Sequence, residues 1–142
     1  MNQRTEKAQL LRRALQADGT VSALSGALLL VLPGEVASLL GAGSPGLVAA
    51  VGASLMAFGV VVARNGWREL PQRAAAAVTV ALNVGWVVGS LALIAAGPLS
   101  RIGNWAVALV ADVVLVLAIV ESVGLRRLSA AADDVAAGAA VR

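Results

Sequence analysis

Four long apolar runs, roughly Ala14–Leu32, Gly46–Ala63, Ala74–Ala96 and Trp105–Leu125, occupy most of this chain and leave only short polar stretches between them. Each approaches the about 20 residues that a helix needs to cross the hydrocarbon core of a bilayer. Soluble domains carry about 25% charged residues. Here 13% are charged, 59% are hydrophobic, and the mean hydropathy is +0.86. That supply cannot coat a water-facing shell. The expected architecture is therefore all-α: an integral membrane four-helix bundle over residues 1–128, followed by an alanine-rich tail over 129–142.

The breaks between the runs carry recognisable punctuation. Pro33-Gly34 stops the first run. The segment after it, EVASLLG, is too short to cross but places Val36, Leu39 and Leu40 on one helical face, as a short amphipathic helix resting at an interface would. Ser44-Pro45 offers an N-cap followed by a proline at the first helical position. Gly97-Pro98 ends the third run, and Pro71 can open it.

The positive residues divide unevenly between the two ends of such a bundle. Arg4, Lys7, Arg12, Arg13, Arg64, Arg68, Arg73, Arg126, Arg127 and Arg142 fall on one side, and Arg101 alone falls on the other. The positive-inside rule puts the first side in the cytoplasm, with both termini there. Residues 1–13 read as the cytoplasmic end of the first span; the competing reading is a secretory signal. Trp67 and Trp105 sit at opposite boundaries, where interfacial aromatics belong. The dominance of arginine over lysine, with abundant alanine, valine, leucine and glycine, suggests a bacterial cytoplasmic membrane.

Composition also removes whole classes of activity. Without cysteine or histidine there is no thiol chemistry, Cys-ligated zinc or iron–sulfur cluster, and no ordinary axial haem ligand. No metal or cofactor is expected. The net charge of +3 does not imply nucleic-acid binding, because the arginines cap spans and do not form a continuous patch.

Attention then falls on the polar residues inside the runs. A charged group at a helix centre costs about +2.5 to +3.5 kcal/mol on insertion scales, so such residues are expected to face the bundle interior and to mark sites. Asp112, within ALVADVVLVLAIV, is the most central, and its partner must come from another helix or from water. Asp18, Ser22 and Ser25 share a face of the first span. Asn83 lies deep in the third, with Trp86 at i+3 and Ser90 at i+7, and the Trp86 indole wants an acceptor such as Asp18 or Asp112. At 1.5 Å per residue, Asp18, Asn83 and Asp112 lie ~9, ~14 and ~20 Å from the arginine-rich boundary. They form a ladder through its half of the bundle. For each the bland reading is a polar group that locks helices together.

Glu121 lies nine residues beyond Asp112, hence on the opposite helical face, and is expected to pair with Arg126 or Arg127 or to reach out to the interface. Gly85 and Gly89 form a GxxxG pair that favours close helix approach, and Ala49, Gly52, Met56 and Gly59 give the second span a small-residue face. Ala14-Leu15-Gln16 and Ala81-Leu82-Asn83 hint faintly at a duplicated hairpin.

Three functions fit. The first is binding or transport of a small or lipophilic molecule at Asp112, Asn83, Asp18, Trp86, Ser22 and Ser90. The second is an accessory or assembly role without a substrate, with homo-oligomer formation a natural consequence. The third is an intramembrane enzyme using Asp18 and Asp112 as acid and base on a lipid or isoprenoid; lacking an activated nucleophile or a metal-ligand cluster, it is the least favoured. Four-helix small multidrug resistance exporters also carry a membrane carboxylate, but in the first helix and without this arginine bias. The stretches ADGTVSALSGALLLVLPGEVASLLG and NVGWVVGSLALI resemble small four-span bacterial membrane proteins of the DoxX-like group. That resemblance implies a four-helix bundle with no defined catalytic residues.

Overall fold

A computed structural model describes the backbone of residues 3–140 and the side chains of residues 8–130 and 132. The described residues form five helices and no strand: α1 (Gln3–Val31), α2 (Pro33–Leu40), α3 (Pro45–Gly66), α4 (Arg73–Ala96) and α5 (Arg101–Ala140). Four of them contain stretches long and apolar enough to span a membrane, at Ala8–Val31, Pro45–Gly66, Arg73–Ala96 and Arg101–Ala130. These are the four runs, lengthened at their ends. The backbone of α5 continues through Ala140, past Arg126-Arg127 and into the alanine-rich tail.

The helix ends follow local chemistry. Ser44 Oγ accepts from Leu47 N (3.3 Å) and Pro45 begins α3, so the predicted cap is present. α4 begins at Arg73, two residues after the buried Pro71. Gly41 and Gly97 take the left-handed conformation (φ 72° and 71°) that closes α2 and α4, which only glycine adopts without a steric cost. In α2, Ala37 is the buried residue, Val36 and Leu40 are half-buried, and Leu39 is exposed. The turn between α3 and α4 is held by Asn65, whose Oδ1 accepts from Gln72 N (2.8 Å) and whose Nδ2 donates to Gln72 O (3.3 Å).

The helices are not equally attached. α1 is central, packed along α3 on one side and α5 on another, while α4 lies mainly on α5. The α1–α3 seam is antiparallel and built on glycine. Gly19 lies against Gly59 and Ala63, Gly26 against Gly52 and Met56, and Gly66 against Arg12 and Gln16. Gly52, Gly59 and Gly66 recur at intervals of seven, as do Gly19 and Gly26, so one stripe meets the other along the crossing. A Cβ at Gly59 would fall on the backbone of Ala23 and Gly19. By contrast Gly85 and Gly89 face open space, and the close approach expected of that pair is not made within the chain.

The buried apolar core lies at the arginine-rich end, formed by Ala8, Leu11, Leu15, Val62, Ala76 and Leu128, with Phe58 and Leu125 against it. Gly124 lets α5 approach the backbone of Leu11. At the other end Ser100 ties α2 to the start of α5: its N–H donates to Leu40 O (2.8 Å) and its Oγ to Leu39 O (2.8 Å). The bulky apolar side chains point outward, among them Leu24, Leu47, Val61, Val88, Leu91, Leu109 and Val116. Such a surface suits hydrocarbon and not water.

Candidate functional site: a buried carboxyl–amide cluster

The interior that this arrangement encloses is polar. On α4 the buried residues are Ala76, Thr79, Asn83 and Ser90, while Val78, Leu82, Val84 and Val88 are exposed. α1 contributes Asp18 and Ser22, and α5 contributes Ala111, Ala118 and Glu121. An inward polar stripe with an outward apolar one inverts the pattern of a soluble helix and is expected where lipid surrounds the bundle.

At the centre, three helices meet at three side chains. Asn83 Nδ2 donates to Asp18 Oδ2 (3.0 Å) and to Glu121 Oε2 (3.1 Å). Ser22 Oγ donates to Asp18 Oδ1 (3.2 Å). Asp18 is 1% exposed, Asn83 4% and Glu121 0%, so bulk water does not reach them. An amide nitrogen carries two hydrogens; both of those on Asn83 are committed. Glu121 Oε1 is buried with no hydrogen-bond partner.

Of the residues singled out in the sequence, Asp18, Ser22 and Asn83 come together here. Ser90 is buried further along α4, and Trp86 is half-buried. The Trp86 Nε1 is buried without a partner, so the expected bond to Asp18 or Asp112 is not made. Asp112 is exposed on the outer side of α5, away from the cluster, and Ser25 is exposed on α1. The acid that α5 supplies is Glu121, which bonds to Asn83 and not to Arg126 or Arg127. The sequence held a signal for this exchange. Glu121 shares its side of α5 with the small residues Gly103, Ala111, Ala118 and Gly124, through which a neighbouring helix approaches, whereas Asp112 is flanked by Leu109, Leu115 and Val116.

A shallow groove of about 250 Å³ runs outside the cluster between α4 and α5, lined by Val84, Leu115, Ala118, Ile119, Ser122, Val123 and Arg126. Among the described residues no group of His, Cys, Asp and Glu is arranged to hold a metal ion.

With four helices of this length and hydropathy, the chain is an integral membrane protein of the all-helical bundle class. No protein-family model, curated protein or solved structure matches it.

Proposed function

We propose that this is a small polytopic membrane carrier or binding protein that takes a small or lipophilic molecule at the Asp18–Asn83–Glu121 cluster. One observation carries the reading: two carboxyls and an amide are buried together at a depth where each is costly, with a carboxyl oxygen left unsatisfied. A purely structural cluster would be expected to satisfy all of its members. The attachment of α4 supports movement. It rests chiefly on α5 and reaches α1 through the Asn83 bond and, nearer the arginine-rich end, through Ala76 in the apolar core, so displacing α4 opens a route to the cluster.

On this reading the arginine-rich end faces the cytoplasm of a bacterial cell, both termini lie there, and α2 rests at the outer interface. The likeness to DoxX-like proteins then concerns the bundle and not the activity. The open Gly85–Gly89 face suits a second copy of the chain.

A second reading has its own support. The cluster joins three helices and the groove between α4 and α5 is not lined by its residues, as a packing lock would require. Native mass spectrometry of the purified full-length protein separates the two. A discrete retained small molecule that is lost in Asn83→Ala, with the oligomeric state unchanged, supports the carrier. Unchanged bound species together with a dissociated oligomer or a loosened bundle makes the cluster a lock.

A further inference from the structure

Four carboxyl oxygens belong to the cluster, and the neighbouring groups supply three hydrogens: two from the Asn83 amide and one from the Ser22 hydroxyl. The oxygen left over is Glu121 Oε1, fully buried and without a donor. Asp18 Oδ2 and Glu121 Oε2 accept from the same Asn83 nitrogen, at 3.0 and 3.1 Å, so the two carboxyls are neighbours across one amide. Two ionised carboxylates cannot bond to one another; a carboxylic acid and a carboxylate can, through a proton held between them.

Among the described residues, no charged group on the surrounding helices bonds to the pair. α1 brings Arg12 and Arg13 a turn or more away, and the Arg12 Nε is itself buried without a partner. α3 carries Arg64 at its exposed end. α4 carries no ionisable residue beyond Arg73, whose Nη2 donates to Leu128 O (3.4 Å). On α5, Asp112, Arg126 and Arg127 are exposed. Among the described residues, the hydrogen bonds to the two acids come from Asn83 and Ser22 alone. Among the described residues, nothing bonded to the pair balances a double negative charge in so dry a place.

We propose that Asp18 and Glu121 share one exchangeable proton, carried on Glu121 Oε1, so that the cluster is a proton-binding centre. Asn83 and Ser22 together fix both oxygens of Asp18, Asn83 fixes Oε2 of Glu121, and Oε1 is the one oxygen left to carry the proton. The inference deepens the carrier reading, which it rests on, by naming the coupling ion: when α4 moves and water reaches the cluster, the proton leaves to water and returns on closure. No covalent bond other than O–H forms or breaks.

Infrared spectroscopy of the full-length protein in lipid nanodiscs tests this directly. A buried protonated carboxylic acid gives a C=O stretch distinct from that of a carboxylate and shifted in D2O. The expected result is one such band per chain at neutral pH, lost at high pH, absent in Glu121→Gln and retained in Asp112→Asn. If Glu121→Gln fails to fold, carbonyl-13C glutamate in the unsubstituted protein must shift the band, since the other described glutamates, Glu35 and Glu69, are exposed. No protonated-acid band at neutral pH, or a band that shifts with labelled aspartate in place of glutamate, overturns the proposal. The band is read without any solute. A band present alongside no retained molecule would therefore sink the carrier and leave the proton site standing, and the reverse pattern would do the opposite.

Discussion

The two sides of α1 are held in different ways. Toward α3 it meets a second helix almost backbone to backbone, through Gly19, Gly26, Gly52 and Gly59, with no side chain able to yield. Toward α4 it is joined through side chains, by Asn83 reaching Asp18, with the glycines of α4 facing open space. The first seam gains dispersion contacts and close approach without hydrophobic driving force, as packing within lipid requires. The second depends on the Asn83–Asp18 bond and on Ala76, which shares the apolar core with Ala8, Leu11 and Leu15. The difference divides the molecule into a rigid pair, α1 and α3, and a more loosely held α4 over the buried acids.

The same kind of change made on both sides should expose that division. Gly59→Leu is expected to cost the most, about 3 kcal/mol or more, because the added atoms meet the Ala23 and Gly19 backbone. Reversible unfolding in mixed micelles would measure it, and a neutral outcome would mean that the seam is not rigid. Next comes Asn83→Ala, at about 1–3 kcal/mol, since it strips both acids of a buried donor. Hydrogen exchange should then rise on α4 around the cluster while the α1–α3 seam stays protected. Uniform exchange across the bundle would erase the proposed contrast.

Smaller effects follow at the helix ends and on the outer face. Gly97→Ala forces a Cβ into the left-handed region and should cost about 1–2 kcal/mol, visible as a lowered unfolding midpoint. Gly89→Ala meets open space and should change stability by no more than about 0.5 kcal/mol. If Gly89→Ala instead disrupts an oligomer on size-exclusion chromatography, that face packs against another copy. Asp112→Asn should cause no loss of stability, because its side chain is exposed and apart from the cluster, and an amide is no costlier than a carboxylate in apolar surroundings. A large loss there would restore Asp112 as a buried determinant.

Much of the framework was legible because it depends on short-range chemistry. The four spans follow from run length and hydropathy, and the ends of α1, α3 and α4 follow from Pro33-Gly34, Ser44-Pro45 and Gly97. The site was legible in part: Asp18, Ser22 and Asn83 stood out as polar residues inside apolar runs and do meet. Asp112 stood out more strongly than Glu121, and position within the run misled. Centrality along a helix says how deep a residue lies, not toward which side it points. Glycine was legible in part: Gly52 and Gly59, on the small-residue face of the second span, do make a seam, whereas the GxxxG pair at Gly85 and Gly89 faces open space.

The helical period of 3.6 residues determined from sequence alone that Asp112 and Glu121, nine residues apart, face opposite ways. Which of them enters the bundle required the other helices. Gly124 admits α1 on the Glu121 side, and Asn83 arrives from α4 with two hydrogens for two acids. A buried charge is tolerated only where partners converge on it, and convergence is a property of the assembled helices and not of any one run.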